Sequence, residues 1–304
     1  MPVLLIFIDG LGLGERDPAI NPLCRFPMRF FSQHFDQPLT RVLPGTVGDV
    51  TVIPTDAALG VPGLPQSATG QAALFTGVNA PHFMGRHIQA FPGPRLTGLI
   101  HQYSIMKQLK EKNFRVTSAN MYTSDYMELA AAGKRRHAAT TLTILSAGEP
   151  LRSLAEMEKG MAVYQDLTNE MLPLLGVRNV PVITPATAGQ RLLTIAGRHH
   201  FTLFEYFQTD RCGHKRDWEN ARKIVMTLDE FFLALYRHTP PDTLVIITSD
   251  HGNFEDFSIK THTTNLVPTI LWGRSSREFA LQIKDLTDIT PGILGFLERN
   301  ESCG

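Results

Sequence analysis

Asp250 and His251 end the stretch Leu244-Val-Ile-Ile-Thr-Ser-Asp-His-Gly-Asn-Phe-Glu255. A carboxylate oxygen and an imidazole nitrogen, adjacent in the chain, suit a divalent metal. Taken alone, the pair equally describes an aspartate capping a turn beside a surface histidine. Other segments bring residues of the same kind. Asp9 closes the apolar run Val3 to Ile8. Asp210 and His214 stand four apart, and on a helix they would face the same way. His262 lies in the polar loop Lys260-Thr-His-Thr-Thr-Asn265. Ser67, in Pro65-Gln-Ser-Ala-Thr-Gly-Gln71, falls near the start of a helix of small residues, where free N–H groups and the dipole favour an anion. It is either an N-cap or a nucleophile, with Thr69 as the rival hydroxyl. Three carboxylates gathered together repel one another unless cations sit among them. With two divalent ions the set balances, and Ser67 gains a metal that lowers its hydroxyl pKa.

The elements that must position these groups read as an α/β pattern. Val3 to Ile8 and Leu244 to Ile247 are unbroken apolar runs, as in central strands of a parallel sheet. In such sheets ligands bind beyond the carboxyl ends of the strands, where Asp9 and Asp250 fall. Val50 to Ile53, Phe114 to Val116, Phe201 to Phe207 and Ile270 to Trp272 read as further strands. Leu99, Tyr103, Met106 and Leu109 recur at helical spacing, as do Trp218, Ala221, Val225, Leu228, Phe232 and Leu235. Thr290-Pro291 opens a last helix, with Pro at its first position. Residues 15–48 are rich in Pro and aromatics and resist assignment. From about Tyr122 to Val180 strand signals fade, so the core is expected to comprise 1–121 and 181–304, with 122–180 a small inserted cap. That segment holds Lys134-Arg-Arg-His137, either a solvated face or a phosphate contact through Arg135 and Arg136.

The 29 basic residues balance the 29 acidic ones, which gives no electrostatic reason to expect nucleic acid or an anionic membrane as partner. The three cysteines, Cys24, Cys212 and Cys303, form no disulfide framework or zinc knuckle, so a cytoplasmic protein is expected. Cys212, between Asp210 and His214, reads as a packing residue. No run is long enough to span a bilayer, and the N-terminal run stops too soon for a signal peptide.

The segments in order resemble the alkaline phosphatase superfamily, most of all its cofactor-independent phosphoglycerate mutase and phosphopentomutase branch. The residues that carry the resemblance are Phe7-Ile-Asp-Gly10, Gln66-Ser-Ala-Thr-Gly-Gln71, Asp210-Arg-Cys-Gly-His214, Asp250-His-Gly-Asn253, His262-Thr-Thr-Asn-Leu-Val-Pro268 and Asp288-Ile-Thr-Pro-Gly-Ile-Leu294. The resemblance implies a three-layer α/β sandwich around a mostly parallel sheet. It implies one metal site from Asp9, Asp250 and His251 with Ser67 bridging toward it, and a second from Asp210, His214 and His262. Both would hold Mn²⁺ or Zn²⁺. It also implies Ser67 as the nucleophile that becomes a phosphoserine, on a small phosphorylated substrate. Gln71 stands where the mutases carry a histidine, and the middle segment lacks their Gly-Arg-Asp substrate motif. A metal-dependent phosphoester hydrolase or phosphotransferase is therefore expected ahead of a phosphomutase or a non-catalytic metal-binding protein. A sulfatase is expected least, because no Cys or Ser stands in a Cys-x-Pro-x-Arg setting.

Overall fold

The fold was analysed in a computed structural model that describes residues 1–301; Cys303 lies outside the described residues. Seven strands form one sheet: β1 (Val3–Ile8), β2 (Gly45–Val47), β3 (Val50–Thr55), β4 (Val116–Ser118), β5 (Phe201–Tyr206), β6 (Leu244–Thr248) and β7 (Val267–Gly273). Their order is β2-β3-β7-β6-β1-β5-β4. β1 pairs in parallel with β5 and β6, and β4 with β5. β7 runs antiparallel to both β6 and β3, and β2 antiparallel to β3. All strands except β7 and β2 thus point the same way, and the sheet is mostly parallel in direction.

Every residue of β1 and β6 is buried, which is why their sequences are apolar without alternation. Alternate residues serve different layers. Leu4, Ile6 and Ile8 pack with the helices Pro185–Ala196 and Trp218–His238. Val3, Leu5 and Phe7 pack with the helices Ser67–Thr76, Pro94–Tyr103, Ile105–Glu111 and Ala139–Ser146 and with Ile289 and Ile293 of the last helix. This is the expected three-layer sandwich. Each large apolar side chain so buried contributes about 1.5–3 kcal/mol of transfer free energy.

Several expectations move by a residue or a turn. The spacing from Leu99 to Leu109 spans two helices. The chain breaks at Ser104, whose hydroxyl accepts from the Lys107 amide and caps the second helix. The strand expected at Phe114 to Val116 is β4, two residues later, because Phe114 turns back to bond Leu109. The last helix begins at Ile289, so Pro291 falls third, where no intrahelical N–H is yet needed. Residues 15–48 contain the helices Pro22–Arg25 and Arg29–Phe35 besides β2.

The segment 122–180 has two characters. Its helix Ala139–Ser146 is buried against the 67–76, 94–103 and 105–111 helices. Met157, Ala162, Tyr164 and Leu172 gather with Met121 into a small separate cluster at the β4 edge. No helix among the described residues is long and apolar enough to cross a membrane.

Candidate metal centre

The carboxyl ends of β1, β5 and β6 lie side by side, and the loops beyond them carry the ionisable residues. Asp9 follows β1, and its amide bonds the Tyr206 carbonyl at the end of β5 at 2.9 Å. Asp210 stands in the first turn of the helix Gln208–Lys215, with His214 one turn on. Asp250 and His251 follow β6 and are fully buried. His262 arrives on the loop that enters β7, held by a backbone bond from Thr263 N to Gly252 O at 3.0 Å.

The side chains converge. His251 Nε2 is 3.0 Å from Ser67 Oγ, 3.3 Å from Asp9 Oδ1 and 3.6 Å from Asp250 Oδ2. Asp210 lies 3.4 Å from His214 Nε2 and 3.5 Å from His262 Nε2, and those two nitrogens are 3.3 Å apart. The rings of His251 and His262 stack with centroids 3.6 Å apart. Two sets of ligand-capable atoms each lie within 4.8 Å of one another: Asp9, Asp250 and His251, and Asp210, His251 and His262. His251 therefore joins the two groups, a detail the sequence did not indicate.

The second nitrogen of each histidine meets a backbone carbonyl. His214 Nδ1 faces Lys260 O at 2.9 Å, His262 Nδ1 faces Pro65 O at 2.8 Å, and His251 Nδ1 faces Gly252 O at 3.3 Å. A carbonyl only accepts, so the nitrogen facing it carries the hydrogen, and each neutral ring turns a bare Nε2 inward. Metal-ligating histidines are oriented in this way.

The electrostatics point to cations. Burial and the charges of Asp250 and Asp210 push the Asp9 carboxyl well above the usual carboxylate range, and the neighbouring His251 offsets this in part. Burial and Asp210 push Asp250 up to about 8. Burial opposes the charge on Asp210 too, but His214, His251 and Asn253 outweigh it and hold that carboxyl at about 2. The Asp210 hydrogen bond raises His214 to about 9 against burial, whereas burial and the neighbouring His251 lower His262 to about 4. Asp9 Oδ1 is buried without a hydrogen-bond partner. Mutually repelling carboxyls and imidazole nitrogens turned toward them fit a mixed O/N donor set for a divalent cation.

Ser67 is the first residue of its helix. The cap position belongs to Gln66, which makes no side-chain cap bond. Thr69 is occupied elsewhere, donating to Gln66 O at 3.3 Å and accepting from the Ile88 amide at 3.1 Å. Cys212 is buried and donates to Asp217 O. Arg135 and Arg136 are exposed; they lie over the rings of Tyr126 and Phe91, at 4.8 and 5.0 Å. They form no part of the converging set.

Sequence reasoning missed the supports. Glu255 is fully buried and accepts from Gly12 N, Asn253 N, Thr263 Oγ1 and Asn265 Nδ2, tying together the loops after β1 and β6 and the loop before β7. Asn253 donates to Asp210 Oδ1 at 2.6 Å, and Gln71 to Asp250 Oδ2 at 3.2 Å. Gly70 carries no side chain because a Cβ there would meet the Asp250 carbonyl oxygen at 2.7 Å. The available signal was the polar run itself: a glutamate five residues after Asp250 in an otherwise buried loop requires donors.

Residues 189–301 match the Metalloenzyme superfamily model. The chain is 31% identical over 114 residues to a 2,3-bisphosphoglycerate-independent phosphoglycerate mutase of Francisella tularensis, covering 34% of this chain and 22% of that one. It is 26% identical over 273 residues to a phosphopentomutase of Methylobacterium nodulans, covering 86% of this chain and 65% of that one. The chain thus spans about a fifth of the mutase and just under two thirds of the phosphopentomutase. In fold it is similar to alkaline phosphatase from the Antarctic bacterium TAB5, with a TM-score of 0.55 at 15% identity over 98% of this chain and 97% of the other. Over residues 189–301 the chain is thus similar to the Metalloenzyme superfamily, its sequence is similar to that of a phosphoglycerate mutase and a phosphopentomutase, and its fold is that of an alkaline phosphatase.

Proposed function

We propose that the chain transfers the phosphoryl group of a small phosphate monoester to Ser67 and from there to water. The observation that carries this reading is the meeting of Ser67, Asp9 and Asp250 on one nitrogen, His251 Nε2. A Ser-His-Asp relay needs the hydroxyl and the carboxylate on opposite nitrogens of the ring. Here Nδ1 faces a backbone carbonyl, so the arrangement is that of a ligand shell with a hydroxyl in it.

In this reading Asp9, Asp250, His251 and Ser67 hold one divalent cation, and Asp210, His214 and His262 hold a second. A cation pair of this kind supplies charge neutralisation for the phosphate oxygens and lowers the pKa of a bound hydroxyl. The chain does the rest. Ser67 Oγ, fixed on the first turn of its helix, attacks phosphorus in line as the P–O bond to the departing alcohol breaks. The alcohol leaves with the proton given up by Ser67, directly or through water. The uncapped helix start beneath Ser67 presents free amides to the phosphoryl oxygens. Water then attacks the phosphoserine, returning Ser67 with its proton and releasing phosphate. Arg135 and Arg136, exposed on the 122–180 segment, would draw an anionic substrate toward the protein.

The phosphopentomutase match over most of the chain supports a second outcome, in which another hydroxyl of the substrate takes the phosphoryl group from Ser67. One assay separates the two. Protein loaded with Mn²⁺ or Zn²⁺ is given p-nitrophenyl phosphate and a panel of sugar phosphates, with inorganic phosphate and positional isomers quantified together. Free phosphate in step with substrate loss is expected. Isomers without free phosphate would establish the mutase, and turnover of neither class would end the proposal.

A further inference from the structure

We propose that Glu205, Tyr122, Tyr126, Thr140 and Thr141 form a second polar subsite beside the metal cage, which takes an uncharged, hydroxyl-bearing end of the ligand and rejects a carboxylate. The inference rests on the phosphoryl-transfer reading for what occupies the cage. Its own support is geometric.

Glu205 is the one charged residue of β5, in a strand otherwise buried and apolar but for Thr202. It pairs in register with Phe7 of β1, and Asp9 lies two residues further along on the same face. Strand spacing and rise put the two Cα atoms about 8 Å apart, one small ligand's length. Around Glu205 stands a chain of hydroxyls. Tyr122 Oη is 3.2 Å and Tyr126 Oη 3.3 Å from Thr141 Oγ1, and Tyr126 Oη reaches His137 Nδ1 at 3.0 Å. The helix Ala139–Ser146 starts here, and its cap residue, Ala138, offers no side-chain bond. Thr140 is fully buried and its hydroxyl faces Glu205, yet it makes no hydrogen bond of ordinary geometry.

Glu205 is half-buried and makes no ion pair among the described residues, so nothing beside it compensates the desolvation of its charged form. Burial pushes its carboxyl up to about 7, so near neutrality it can donate as well as accept. A ligand hydroxyl would donate to Glu205 and accept from Thr140 or a tyrosine, joining the hydroxyl chain. A ligand carboxylate would meet Glu205 as a like charge. Arg135, over the Tyr126 ring, is exposed and its charge is solvated there.

Glycerol 3-phosphate and 3-phosphoglycerate test this directly, since they differ chiefly in a hydroxymethyl group against a carboxylate. Binding is measured by calorimetry on metal-loaded Ser67→Ala protein, which removes turnover. Glycerol 3-phosphate is expected to bind at least tenfold more tightly. Adding Glu205→Gln should narrow the gap to threefold or less, and adding Tyr122→Phe should weaken glycerol 3-phosphate alone. Equal or tighter binding of 3-phosphoglycerate, a gap unmoved by both variants, or no binding of either probe would overturn the proposal. Failure of the phosphoryl-transfer reading would show separately, as absent turnover by the wild-type chain.

Discussion

Ser67→Ala is expected to cut phosphate-ester turnover at least about a thousandfold, as removal of a covalent nucleophile does. The fold should survive the change. Ser67 is half-buried at the first position of its helix, its hydroxyl is not the cap, and alanine is the best helix former. Its one hydrogen bond among the described residues is to His251. Thr69 cannot stand in, because its hydroxyl is already held between Gln66 and Ile88. The check is steady-state turnover of p-nitrophenyl phosphate, with circular dichroism confirming the fold. A rate within tenfold of wild type would remove Ser67 from the chemistry.

The second large effect is on stability. Binding at one hundred times Kd is worth about 2.7 kcal/mol per site. Two filled sites should therefore raise Tm by about 8 °C in a chain of this size. The gain should depend on pH with a definite sign. Between pH 6.5 and 8 an unfolded chain has already lost the protons of its aspartates and loses the rest of those on its histidines. The metal-free folded chain still holds a proton on Asp250, raised to about 8, and on His214, raised to about 9. The native state binds more protons across that window, so its stability falls as pH rises. His262, lowered to about 4, acts in the opposite sense only below the unfolded value of 6.5. Metal-free Tm should thus drop from pH 6.5 to 8.5, while metal-loaded Tm should not. Asp250→Asn should raise metal-free Tm at pH 8 by relieving the buried charge, and should lose most of the metal-induced gain. Scanning calorimetry reads all of these, and a metal-free Tm that is flat or rises over the window would contradict the account.

Much of the fold was legible because parallel central strands write themselves plainly. β1 and β6 are buried on both faces, so their apolar runs stand out. The 218–238 helix was legible for a related reason, its apolar stripe facing one layer. Less legible were features decided by a single contact. Ser104 divides one periodic stretch into two helices because its side chain satisfies an amide. The 139–146 helix gives little periodic signal because it is buried on most sides. At the site, ligand-type residues were visible because Asp and His cluster at strand ends. Glu255 and Glu205 were not, and Gln71 was singled out without its bond to Asp250, since such roles depend on which loops and faces meet in three dimensions. The sharing of His251 between the two groups likewise comes from ring stacking against His262, which no sequence spacing encodes.

The central claim is that seven side chains from separate parts of the chain form a cage for two cations. Counting bound metal by equilibrium dialysis and elemental analysis, in wild type and in an Asp210→Ala/His214→Ala variant, tests it most directly. Two Mn²⁺ or Zn²⁺ per wild-type chain and one in the variant are predicted. A wild-type chain that retains no metal at micromolar free ion, or a variant that retains both ions, would contradict it.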